Sequence, residues 1–250
     1  MALNFAGAHM RDTAAQCLFN ALKDNTSLTE LDLSDNSISD TGFEGILRSL
    51  FFNTTLQSLR LLRNGITGCF GVSAGRHGLA SLRELELSGN NIPNQGLGNL
   101  LGLLKNTTSL RKLHLAKLLI RDKEPVKSIC EFLMQNSSLM ELDLSSNYIG
   151  IRGIELITEA LRDNYSLTKL NLSNVHLDYE KRYSKRVLES LCCNIALGGL
   201  KDNIISLSCL QPTFKEPIEE IVLILKFNGV PRDFYPGIIK TYIKLRKQKA

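Results

Sequence analysis

Proline is scarce in this sequence, 6 residues against 18 glycines in 250, and no stretch approaches the ~18 consecutive apolar residues that a membrane span requires. The best candidate, Ile221 to Leu225, is far too short. With 43% hydrophobic and 22% charged residues, the composition excludes extensive disorder and collagen-like structure. The opening, Met1 to Gln16, lacks a charged lead followed by an apolar run, so no Sec-type signal peptide is expected. These absences imply a soluble cytoplasmic protein, signal-independent export to a host apart. No C-x-x-C pair occurs among the six cysteines (Cys17, Cys69, Cys130, Cys192, Cys193 and Cys209), which are widely scattered except for one adjacent pair. That pattern suits neither a disulfide framework nor a tetrahedral zinc site, and the thiols are expected to be reduced and mostly buried.

Reactive constellations are missing too. The four histidines, His9, His77, His114 and His176, fall beside no nucleophile, carboxylate dyad or metal-ligand spacing. The glycine-rich stretch Gly68 to Gly78 lacks the Gly-Lys-Ser/Thr of a phosphate loop, since Arg76 and His77 follow Gly75; it reads as a loosely wound turn. No catalytic residue, cofactor or metal is therefore expected. The 30 Lys and Arg exceed the 25 Asp and Glu by 5, a mild surplus. It concentrates at Lys181, Arg182, Lys185 and Arg186, and again at Lys240, Lys244, Arg246, Lys247 and Lys249.

What the chain has in abundance is a repeat. Leu28-Thr-Glu-Leu31-Asp-Leu33-Ser-Asp-Asn36, Leu56 to Asn64, Leu82 to Asn90 and Leu139 to Asn147 share the template L-x-x-L-x-L-x-x-N. Degenerate copies keep the leucine frame at Leu110, Leu113 and Leu115 and at Leu167, Leu170 and Leu172, while Leu3 and Phe5 resemble the tail of a first copy. The last frame residue falls at 5, 33, 61, 87, 115, 144 and 172, close to one copy every 28 residues. The asparagine column is broken at Ala8, Leu118 and Val175. Alternation across L-x-L predicts short strands that must stack in parallel to bury their leucines against neighbouring copies. Apolar residues at helical spacing, such as Ile154, Ile157 and Leu161, predict helices in the second half of each repeat. Five N-x-[ST] sequons, at Asn25, Asn53, Asn106, Asn136 and Asn164, sit just ahead of a frame leucine and read as repeat turn chemistry rather than glycan acceptors.

This pattern strongly resembles the leucine-rich repeat family over roughly residues 1 to 230. The length of about 28 residues and the helical half are similar to the ribonuclease-inhibitor-type subclass of intracellular proteins, which includes the sensor regions of innate-immunity receptors. The resemblance implies an α/β fold: a right-handed solenoid of about seven or eight repeats, with parallel strands on the concave face and helices on the convex face. Irregular segments are expected at 68–80 and 178–200. Leu207 to Cys209 can supply a further strand, and a C-terminal helix within 231–250 should cap the stack. Because the chain opens inside a repeat, it is either a fragment or a protein whose first half-repeat serves as cap.

The informative residues are those facing outward around L-x-L: Glu30 and Asp32; Ser58, Arg60 and Arg63; Glu84 and Glu86; Lys112, His114 and Lys117; Glu141 and Asp143; Lys169 and Asn171. Their sign alternates from strand to strand, which predicts opposite-charge pairs between neighbours about 4.8 Å apart. Such pairs can serve as a stabilising ladder, at about 0.2–1 kcal/mol each. They can equally form a charge-patterned concave surface that binds a protein partner, and the resemblance implies that role, exercised by a monomer. Alternation disfavours nucleic acid, whose phosphates would call for uninterrupted Lys and Arg, and an anionic membrane is disfavoured with it. Two other classes fit the same repeat type. One is a GTPase-activating or other regulatory protein, against which stand the lack of an acidic tail and of a reactive constellation. The other is a microbial effector that engages a host protein.

Overall fold

The computed structural model describes residues 1–69, 79–121, 123–161, 164–172, 175 and 204–206. Eight three-residue strands form one parallel sheet in strict chain order: β1 (Ala2–Asn4), β2 (Glu30–Asp32), β3 (Ser58–Arg60), β4 (Glu84–Glu86), β5 (Lys112–His114), β6 (Glu141–Asp143), β7 (Lys169–Asn171) and β8 (Ile204–Ser206). Among the described residues five helices cross between them: α1 (Asp12–Asp24), α2 (Asp40–Leu50), α3 (Asn94–Leu104), α4 (Lys123–Gln135) and α5 (Gly150–Ala160). The register keeps one frame leucine opposite the next, Leu31 on Leu59, Leu85, Leu113, Leu142 and Leu170 in turn. This is the right-handed leucine-rich repeat solenoid that the pattern implied. Parallel strands sit about 4.8 Å apart and packed helices about 8–10 Å, so the stack bends with its sheet on the inner side.

The core is the seam between the two layers. Leu31, Leu33, Leu59, Leu61, Leu85, Leu87, Leu113, Leu115, Leu142 and Leu144 are each at most 1% exposed. Against them the helices turn one apolar stripe at three- and four-residue spacing: Ala15, Phe19 and Leu22 from α1, Phe43, Ile46 and Leu50 from α2, and Leu97, Leu100, Leu101 and Leu104 from α3.

Asparagine side chains tie each turn to the preceding repeat. Asn64 accepts from the Ile38 N–H at 3.0 Å and donates to the Leu33 carbonyl at 2.9 Å. Asn90 accepts from Asn64 and Ile66 and donates to Leu61 and Leu87. Where Leu118 and Val175 replace asparagine, the side chains are buried, so the column trades a polar tie for packing. A second column closes the helix ends. Asn53, Asn136 and Asn164 are 3–4% exposed, and each accepts from two backbone amides of its own turn while donating to carbonyls of the repeat before it. Asn25 plays the accepting half alone. These four sequons are turn chemistry. Asn106 differs: it stands one residue early and exposed, and Thr107 takes the column by donating its hydroxyl to the Leu104 carbonyl at 2.7 Å.

Two expectations need correction. Cys17 is exposed on the face of α1 turned away from the apolar stripe, Cys69 is exposed outside the helices, and Cys130 on α4 is half-buried against the core; all three are free thiols. β8 continues the frame with Ile205 opposite Leu170, while the strand expected at Leu207 to Cys209 lies outside the described residues. Arg63 and Lys117 are not strand residues. With φ of 49° and 55°, they occupy the left-handed turn position that Asp35, Gly89 and Ser146 fill in other repeats. The segments 70–78 and 178–200, residues Cys192, Cys193 and Cys209, and the expected cap within 231–250 lie outside the described residues.

The candidate functional site

The concave face is built by the outward residues of the strands. The first column runs Ala2, Glu30, Ser58, Glu84, Lys112, Glu141 and Lys169; the second runs Asn4, Asp32, Arg60, Glu86, His114, Asp143 and Asn171. The expected opposite-charge contacts form between neighbouring strands. Glu84 lies between two cations, 3.7 Å from Arg60 and 3.9 Å from Lys112. Lys169 reaches Glu141 at 2.6 Å, Asn171 donates to Asp143 at 2.9 Å, and His114 Nδ1 sits 3.7 Å from Glu86. Arg60 pairs diagonally with Glu84 rather than straight across with Glu86.

The two columns do different work. In the second, the acid accepts a hydrogen bond from the backbone amide two residues on: Asp32 from Ser34 at 2.9 Å, Glu86 from Ser88 at 2.7 Å and Asp143 from Ser145 at 2.8 Å. These carboxylates hold the strand-to-turn corner, as Asn4 does for Ala6. Arg63 is likewise engaged, forking onto Asp35 at 2.5 and 2.7 Å, which holds the Asp35 carboxyl below the usual carboxylate range and raises the guanidinium. Glu30 and Lys117 are exposed and make no ion pair among the described residues. His114 keeps Nε2 buried without a hydrogen-bond partner among the described residues.

Sequence reasoning missed a second set of inter-repeat ties. Asp12, in the first turn of α1, accepts from the Ser39 amide at 2.8 Å, and Asp40, in the first turn of α2, accepts from Thr67, Gly68 and Cys69. The signal was present as an Asp followed 27 residues later by Ser or Thr, twice, one repeat apart. Among the described residues no group of three or more His, Cys, Asp or Glu could hold a metal, and no helix is long and apolar enough to cross a membrane.

Stacked parallel strands, frame leucines and asparagine ties together define a leucine-rich repeat solenoid. A family model described as Leucine Rich repeat matches residues 24–47, 78–101 and 135–157. The NACHT, LRR and PYD domains-containing protein 3 of Rattus norvegicus is 33% identical over 191 residues, 74% of this chain and 17% of that protein. Ribonuclease inhibitor is 32% identical over 159 residues in Sus scrofa, 61% of this chain and 35% of that protein. In Mus musculus it is 35% identical over 155 residues, 60% of this chain and 34% of that protein. The chain thus spans about a sixth of the first relative and about a third of the inhibitors. It belongs to the leucine-rich repeat family, in its ribonuclease-inhibitor-type subclass.

Proposed function

We propose that this chain is a non-enzymatic recognition module that binds a protein partner through its concave face. The observation that carries the reading is the first column: Glu30 projects from β2 and Glu84, Lys112, Glu141 and Lys169 from β4 to β7, with Arg60 of β3 beside them, and among the described residues none of these acids accepts a backbone amide as the second column's acids do. Their contacts with each other are exposed ion pairs, worth about 0–1 kcal/mol, so a partner can replace them at little cost. Two relatives are named as inhibitors of ribonuclease, which supports a protein rather than a small molecule as the ligand. Asp32, Glu86, Asp143 and Arg63 hold the scaffold, and their part in binding is to keep the neighbours in place. Lys117, His114 and Asn171 flank the column and complete the contact. The free thiols among the described residues suit a reducing, cytoplasmic setting.

Charge reversal tests it. Glu84→Lys would set three cations in a row with Arg60 and Lys112. A modest fall in melting temperature is expected together with loss of the partners that the unaltered chain captures. A folded Glu84→Lys protein that keeps every one of those partners would refute the concave-face reading.

A further inference from the structure

The rim where the chain enters the strands carries a different electrostatic pattern from the concave face. The residue just ahead of each strand from β2 to β7 reads Thr29, Gln57, Arg83, Arg111, Met140 and Thr168 along the stack. Arg83 and Arg111 are ladder neighbours, with the Arg111 amide donating to the Arg83 carbonyl at 2.8 Å. Every concave cation in an ion pair finds its carboxylate within 3.9 Å, yet neither rim arginine pairs with a carboxylate among the described residues. Like charges on adjacent strands repel each other, a repulsion that an anion held between them would relieve.

The surroundings are suited to such a group. The two arginines line an open pocket of about 480 Å³, together with the hydroxyls of Thr54, Ser81, Thr108 and Ser109. No acidic side chain is among its lining residues. Ser81 and Ser109 already donate to the Asn53 and Leu79 carbonyls, while Thr54 and Thr108 stand exposed at its edge with their protons available. Arg111 is held in place: its Nη1 donates to the Thr108, Leu110 and Ser138 carbonyls at 2.8, 3.3 and 3.1 Å, which leaves the donors on its other nitrogens for a ligand. Arg83 is exposed and can close over a ligand.

We propose that this pocket is an oxyanion site that takes the phosphate monoester of a phosphorylated peptide. A phosphate monoester carries about −1.5 to −2 near neutral pH with three acceptor oxygens, which matches two guanidiniums and two donor hydroxyls; one carboxylate would neutralise only half of the site. The pocket is much larger than a phosphate group, so flanking residues of a peptide fit beside it. The site is independent of the concave face.

Calorimetric titration of the full chain tests this with a five-residue peptide carrying a central phosphoserine, the same peptide unphosphorylated, the same peptide with Glu at that position, and inorganic phosphate. The phosphopeptide should saturate the protein, and Arg83→Gln should weaken it at least about tenfold. Arg83 is exposed and makes no hydrogen bond to the fold through its side chain among the described residues, so the melting temperature of that variant should not fall. Lys127→Gln removes the same charge from the exposed face of α4 and should change affinity less than about twofold. Equal binding of the unphosphorylated or Glu peptide, or no saturation by about 10 mM phosphopeptide, would overturn the proposal. So would equal weakening by Lys127→Gln, which would mean general charge attraction. Inorganic phosphate bound as tightly as the phosphopeptide would refute the peptide as ligand.

Discussion

Replacing Asn147 with Ala removes a side chain that is wholly buried and fully engaged. Its Nδ2 donates to the Leu115 and Leu144 carbonyls at 2.9 and 2.8 Å, and its Oδ1 accepts from the Leu118 and Ile120 amides at 2.9 and 3.2 Å. At roughly 0.5–1.5 kcal/mol for each bond, four such bonds correspond to about 2–6 kcal/mol, and buried groups left unpaired push toward the upper half. Water entering the vacated space satisfies some of them, so a loss of about 3–4 kcal/mol is expected in urea unfolding. Asn106→Ala, at an exposed asparagine one residue off the column, should cost under about 0.5 kcal/mol. Repeats couple chiefly to their neighbours, so hydrogen exchange should accelerate first at the Leu118 and Ile120 amides. A loss below about 1 kcal/mol, or unchanged protection at those two amides, would refute the argument that asparagine ties the repeats together.

Four other outcomes follow from separate features. A Cβ on Gly96 would lie 1.9 Å from the Thr67 carbonyl oxygen, so Gly96→Ala should cost roughly 1–3 kcal/mol by thermal melting. Gly102→Ala, with open space around its Cβ inside α3, should gain about 0.5–1 kcal/mol. The Asp35 carboxyl is depressed by its hydrogen bond from Arg63, so the pair's contribution is present above the ordinary value of 3.8 and is lost as pH falls through the lower folded value. The difference in urea midpoint between the unaltered chain and Arg63→Gln should therefore hold steady from neutral pH down to about 3.8 and shrink from there as pH falls through the lower folded value. Burial, with Glu159 and Glu131 nearby, pushes the Cys130 thiol up to about 11. At pH ~8 only about a thousandth of it is thiolate, so peptide mapping after alkylation should show Cys17 and Cys69 modified well before Cys130.

The strands were legible because L-x-L alternation admits one arrangement that buries both leucines, and the register then follows from the period. Less legible was anything set by where a helix stops. Asn106 carries the same three-residue motif as Asn53, yet α3 ends at Leu104 and leaves the column to Thr107. Similarly, Arg63 and Lys117 looked like extensions of the strand face, whereas the turn places them in left-handed backbone with their neighbours in the asparagine column. Of the concave charges, sequence alternation predicted the pairing but not its division. That the second column's acids also cap the corner depends on an amide two residues on, and the same one-letter pattern serves Glu30, which caps nothing among the described residues. The Arg83 and Arg111 pair was invisible because the position ahead of a strand reads as ordinary solvent-facing sequence until the stack brings the two repeats together.

A ladder that stabilises the sheet and a surface that recognises a partner are compatible here because the partners in each pair are unequally anchored. Glu84 and Glu141 are 23% and 21% exposed at their side chains, while Arg60, Lys112 and Lys169 are 46%, 50% and 50% exposed. The acids are thus partly sunk between strands and the cations lie over them on long flexible stems. Exchanging an exposed cation for a group on a partner releases one weak contact and forms another in a newly water-excluded site, where the same Coulomb interaction is stronger. Glu84 gains most from such an exchange, since its two cations at 3.7 and 3.9 Å are both beyond close hydrogen-bonding distance. Salt separates the two roles: at about 1 M the Debye length falls to about 3 Å, which screens the exposed ladder in the free chain more than pairs enclosed by a partner. The stability gained from the ladder should therefore fade with salt faster than the bound complex loosens.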